Sequence, residues 1–94
     1  MNDSWIVYSV LKPTGLPVAV GKGKYESLTE ALGAAHMDLQ NYIDSLDYGE
    51  PDYKTTCLKR LEGNDDLYFD VYSPANKVEF TYYFLRVNKK IGCD

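Results

Sequence analysis

The spacing of apolar residues in this 94-residue chain changes period twice, from two to about 3.6 and back to two. Trp5 to Leu11 (WIVYSVL) is rich in β-branched and aromatic residues and predicts a strand. Lys12-Pro13-Thr14-Gly15 predicts a turn, because proline presets φ and glycine tolerates positive φ. Pro17 to Val20 (PVAV) predicts a short second strand that closes a hairpin. Pro17 has no N–H to give to a ladder, which places it at a strand start or an edge.

The helical period follows. Ser27-Leu28-Thr29-Glu30 has the capping-box pattern, with Ser27 as N-cap. Leu28, Ala31, Leu32, Ala35, Leu39, Tyr42, Ile43 and Leu46 then form one apolar stripe. Glu30, Gly33, Gln40, Asn41 and Asp44 fall on the other side. Tyr48-Gly49 and Pro51 are stop signals, so the helix should end near Asp47. Gly33 inside it costs about 1 kcal/mol relative to Ala. A close approach of helix to sheet is the expected reason.

The remaining chain alternates. Thr55 to Leu61 predicts a strand interrupted by Lys59 and Arg60, and Gly63-Asn64-Asp65-Asp66 a turn. Leu67, Phe69 and Val71 alternate with Tyr68, Asp70 and Tyr72, as in a half-buried antiparallel strand. After the turn Ser73-Pro74-Ala75-Asn76, Val78 to Val87 is the longest strand. Val78, Phe80, Tyr82 and Phe84 mark one face of it, and Thr81, Tyr83, Leu85 and Val87 the other. Apolar residues on both faces predict a central strand covered on both sides. The order β-β-α-β-β-β predicts an α+β fold: one small domain over residues 1–94, an antiparallel sheet with one amphipathic helix on one face. The second face must be solvated or met by a second copy or a partner. Tyr68, Tyr72 and Tyr83 are expected there, and tyrosine suits an interface because it has an apolar body and a polar tip.

Charge adds a feature that periodicity does not show. The net charge of −4 comes essentially from one segment. Residues 1–37 sum to zero, residues 38–53 to −5 and residues 54–94 to +1. The acidic stretch holds Asp38, Asp44, Asp47, Glu50 and Asp52, with Tyr42, Tyr48 and Tyr53 between them and no Lys or Arg. Asp44 and Asp47 stand near the helix C-terminus, where negative charge is disfavoured by a few tenths of a kcal/mol. Local stability would choose Lys or Arg there, so these acids suit a surface made for a basic partner.

The candidate chemistry is thin. His36 is the sole histidine, and no second His or nearby Cys gives it metal-ligand spacing. Asp65-Asp66 reads as turn residues. Gly21-Lys22-Gly23-Lys24 lacks the full phosphate-loop spacing and reads as a flexible basic connector. Cys57 and Cys93 are expected as free thiols in a reducing cytosol, with a single Cys57–Cys93 tether of the tail as the alternative. No apolar run approaches the roughly 20 residues of a membrane span, and MNDSWIVYSV lacks the pattern of a secretory signal.

Ile6-Val7-Tyr8, then ten residues, then Ala19-Val20-Gly21 resembles the pattern of GIY-YIG nucleases, which also begins on a β-hairpin. The resemblance implies a catalytic tyrosine where Ala19 stands and an arginine on the following helix. Ser27 to Asp47 contains no arginine. The resemblance therefore covers about thirty residues and lacks the chemistry, and nuclease activity is not expected.

The expectation is thus a cytoplasmic, non-enzymatic binding protein that uses no cofactor or metal. Small acidic, tyrosine-rich proteins of this kind are common among phage-encoded inhibitors, some of which imitate DNA phosphates. The expected partner is a basic, nucleic-acid-binding protein. The contact residues would be Asp38, Asp44, Asp47, Glu50 and Asp52 for charge, with Tyr48 and Tyr53 as anchors. Two alternatives use the sheet face of Tyr68, Tyr72 and Tyr83. One is nucleic-acid binding, with Lys59, Arg60, Lys77 and Arg86 nearby. The other is closure of a homodimer.

Overall fold

A computed structural model describes residues 3–12, 14–46, 52–63 and 65–88. Its elements are β1 (Asp3–Leu11), β2 (Val18–Tyr25), α1 (Leu28–Ser45), β3 (Lys54–Thr55), β4 (Lys59–Arg60), β5 (Leu67–Tyr72) and β6 (Val78–Asn88). Over the described residues the fold is α+β, an antiparallel sheet of six strands with one helix across one face. The strand order is β2-β1-β6-β5-β3, and β4 also pairs with β5. The longest ladder joins the first and last described strands: β1 runs against β6 from Asp3 opposite Asn88 to Leu11 opposite Phe80. β6 is central, as its length and two apolar faces predict.

Alternation sorts the side chains. Val7 on β1, Val20 and Tyr25 on β2, Phe69 and Val71 on β5, and Tyr82 and Phe84 on β6 meet Ala31, Ala35 and Leu39 of α1 in one core. Each large side chain removed from water there contributes about 1.5–3 kcal/mol. Ala31 and Ala35 are fully buried, so these alanines set the close approach of helix to sheet. The predicted role of Gly33 is therefore corrected. It lies on the exposed side of α1, and a Cβ there would meet nothing within 4 Å.

Ser27 caps the helix as predicted, its Oγ accepting from the Glu30 N–H at 3.1 Å. The helix ends at Ser45, slightly before the expected Asp47, because Leu46 is already extended.

Two further expectations change. Gly21-Lys22-Gly23-Lys24 is part of β2 rather than a connector. Two steps on β1, Ile6 to Tyr8, face five on β2, Lys24 back to Ala19, so β2 carries a bulge of three residues. Gly21 and Gly23 supply its positive φ angles of 60° and 84°. The Tyr25 hydroxyl closes it, accepting from Lys22 N–H at 3.0 Å and donating to the Val20 carbonyl at 3.4 Å.

The strand expected over Thr55 to Leu61 is split into β3 and β4. Thr55 pairs with Val71 and Lys59 with Tyr68, so four steps face three. The extra residue breaks the ladder where Leu58 turns in against the core.

Candidate functional site

The acidic stretch divides once it is folded. Asp38 lies on the inner side of α1, one turn beyond Ala35, and its carboxylate accepts from the Tyr82 hydroxyl at 2.7 Å. Asp38, expected as a partner contact, is half-buried and joins helix to sheet. Burial, with that carboxylate beside it, pushes the Tyr82 phenol well above its usual range. Tyr53 is likewise turned inward. Its hydroxyl donates to Glu79 at 3.2 Å, and its ring meets Tyr42 edge to face at 6.2 Å between centroids.

Glu79 receives both tyrosines because of a bulge. Phe80 faces Val71 and Val78 faces Tyr72, so Glu79 is the extra residue of β6. Its carboxylate reaches the Tyr42 hydroxyl on α1, the same ring that packs edge-on against Phe80 at 4.6 Å. That hydrogen bond to an anion, with burial, raises the Tyr42 phenol.

Asp44 and Asp52 remain on the surface. Asp44 accepts from Gln40 one turn back at 3.0 Å. Asp47, Tyr48 and Glu50 lie outside the described residues. The outer stripe of α1 reads Glu30, Gly33, Met37, Gln40, Asn41 and Asp44, all exposed. Beside it a groove is lined by Leu11, Leu16, Val18, Asp38, Tyr42 and Phe80. Leu16 is 79% exposed, Met37 66% and Val18 60%, so large apolar side chains border the acidic side in open solvent.

The described bases are confined to one layer. α1 carries Glu30, Asp38 and Asp44 and neither Lys nor Arg. All the described bases, Lys12, Lys22, Lys24, Lys54, Lys59, Arg60, Lys77 and Arg86, belong to strands and their turns.

The opposite face of the sheet carries a tyrosine ladder. Tyr8, Tyr83 and Tyr68 stand directly opposite one another on β1, β6 and β5. Tyr8 and Tyr83 stack at 5.3 Å and 25°, and Tyr83 and Tyr68 lie at 6.2 Å and 32°. The Lys12 ammonium sits 5.8 Å from the Tyr83 centroid and donates weakly to its hydroxyl. Burial, together with Tyr83 and the Asp66 carboxylate, raises the Tyr8 phenol. Tyr68 and Tyr83 thus stand where expected. Tyr72, on the same side of β5 as Tyr68, lies outside this row, opposite Val78 and Lys54 beyond the Glu79 bulge. Tyr8 and Lys12 were not foreseen. The alternation of WIVYSVL puts Tyr8 on the face opposite Val7, but only the β1–β6 register reveals its partner.

Among the described residues no group of three or more His, Cys, Asp or Glu is placed to hold a metal ion, and no helix is long and apolar enough to cross a membrane. His36 stacks on Phe69 at 5.5 Å between ring centroids. Cys57 is exposed, and Cys93 lies outside the described residues. Comparison of the chain with protein-family models, curated proteins and solved structures finds no match.

Proposed function

We propose that this protein works by binding rather than catalysis, as a small acidic inhibitor that docks its helix layer on a basic, nucleic-acid-binding protein and occludes it. One observation supports the reading: acids without bases on α1, bordered by exposed Leu16, Val18 and Met37. Charge of one sign steers an oppositely charged partner, and exposed apolar side chains supply the desolvated anchors that charge alone lacks. Asp44 and Asp52 are the described charges of this surface, and Asp47, Tyr48 and Glu50 belong to the same proposal. Asp38 and Tyr53 support it by fixing α1 and the chain at Tyr53 against β6.

Nucleic-acid binding on the tyrosine face is the weaker reading. Rings lying flat, side by side, could not bring their centroids to 5.3 Å, so Tyr8 and Tyr83 cover part of each other. The ladder therefore presents ring edges and hydroxyls rather than the open faces on which bases stack.

The test is the joint variant D44N/D47N/E50Q/D52N. Immobilised wild-type chain should retain basic DNA-binding proteins from a heparin-enriched fraction and release them to duplex DNA. The variant should keep its circular dichroism spectrum and lose that retention. Unchanged retention by the folded variant would refute the acidic surface as the docking site.

A further inference from the structure

We propose that two copies of this chain associate through their uncovered sheet faces, about a two-fold axis parallel to β6. The association does not depend on the docking reading above. Three features of the face carry it.

The first is composition. The outward rows put Ile6 opposite Leu85, Tyr8 opposite Tyr83 and Tyr68, and Val10 opposite Thr81. These rows are apolar and aromatic with hydroxyl tips, the character of an interface core, and charged side chains flank them. Its rings are already ordered by stacking, so little side-chain freedom is lost on contact.

The second is the placement of charge on either side of β6. On the β1–β2 side stand Lys12, folded against Tyr83, and Lys24, opposite Ile6. On the β5 side stand Asp70, accepting from Thr81 at 2.8 Å, and Asp66, accepting from the Arg86 N–H at 3.0 Å. A two-fold axis along β6 exchanges the two sides and preserves the level along the strand. It carries the Lys12 ammonium of one copy, drawn in over Tyr83, toward Asp70 of the other, a pair made twice by symmetry. The same operation lays one tyrosine ladder across the other. Lys59, opposite Tyr68 on β4, falls at the rim and outside these pairs.

The third is that the edges of the sheet are poor sites for joining copies. β2 is interrupted by its glycine bulge and carries Lys22 and Lys24, while β3 and β4 are two residues each and carry Lys54, Lys59 and Arg60. Short, bulged, lysine-bearing edges resist strand addition, so the flat face is where a second copy fits.

The footprint sets the strength. The width from β2 to β3 or β4 is roughly 19 Å, and Ile6 to Lys12 spans roughly 20 Å along β1. A projected area of about 400 Å² per copy, about 800 Å² for the pair, lies below the roughly 1,200 Å² of stable complexes and in the range of weak, transient contacts, so the dimer should build up only at high micromolar concentration. Its two acidic helix layers would then point in opposite directions, making the protein bivalent toward its partner.

Sedimentation velocity of the full chain from low micromolar to submillimolar concentration is the test. Wild type should pass from monomer to dimer. K12E and D70K should each weaken self-association by about tenfold or more, because like charges then meet twice. An equimolar mixture of K12E and D70K should recover association, since each introduced charge meets its opposite. Recovery also shows that both variants are folded. A wild type that stays monomeric throughout, single variants that dimerise normally, or a mixture of folded variants that fails to recover would each overturn the proposal. D44N/D52N should dimerise like wild type, which separates this result from failure of the docking surface.

Discussion

The Tyr82 hydroxyl donates to the Asp38 carboxylate at 2.7 Å, joining the central strand to the middle of the only helix among the described residues. Tyr82 is 1% exposed, so its hydroxyl has no ready access to water if that acceptor is removed. Asp38→Ala should cost about 1–3 kcal/mol, the penalty for stranding a buried polar group. Asp38→Asn keeps an acceptor oxygen and should cost less. Tyr82→Phe should cost about 1 kcal/mol, because the half-buried Asp38 can turn to solvent. Urea denaturation of the three variants checks this order. A loss for Asp38→Ala no larger than for the exposed Asp44→Ala would show that the bond carries no stability.

Stability should fall at high pH. Tyr8, Tyr42 and Tyr82 all have phenols raised above the usual value of about 10. In the unfolded chain these groups ionise near 10, while in the folded chain they stay protonated further up. Their contribution is fully present below about pH 10 and is lost as pH rises beyond it toward the folded values. Thermal melts between neutral pH and pH 11 should show a steepening loss, and Tyr42→Phe and Tyr82→Phe should each flatten it. An equal slope in wild type and both variants would assign the loss to other groups.

Two glycines should respond in opposite directions. Gly33→Ala fills open space on the exposed side of α1 and should stabilise by up to about 1 kcal/mol, since alanine restricts the unfolded chain and favours helix. Gly21→Ala places a Cβ against the Tyr25 hydroxyl at φ 60° and should destabilise by at least about 1 kcal/mol. Gly23→Ala has the positive φ without the collision, the nearest side-chain atom being 3.8 Å away, and should fall between them. Melting temperatures of the three variants give the comparison directly.

Local features of the fold were readable from local signals. Ser27 and Glu30 announce the helix start, and the stripe from Leu28 to Ile43 marks the inner face of α1. Alternation assigns Phe69 and Val71 to the core and Tyr68 to the other face. The departures occur where strands fall out of step. The β2 bulge, the β3–β4 break and the inward turn of Glu79 each come from a mismatch in step count between partner strands. Such a mismatch cannot be seen in either strand alone.

The same division runs through the candidate site. By itself the sequence determined that charge is concentrated in residues 38–53 and that bases are absent from the helix, because both are properties of consecutive residues. It also determined which tyrosines share a face within one strand. Only the tertiary structure decided that Asp38 and Tyr53 point inward, that Tyr8, Tyr83 and Tyr68 form one row, and that Lys12 and Asp70 stand on opposite sides of β6. The physical reason is range. Helix and strand periods arise between neighbours two to four residues apart. The pairing of β1 with β6 joins residues more than 65 positions apart, and its register depends on which edges meet when the chain closes on itself.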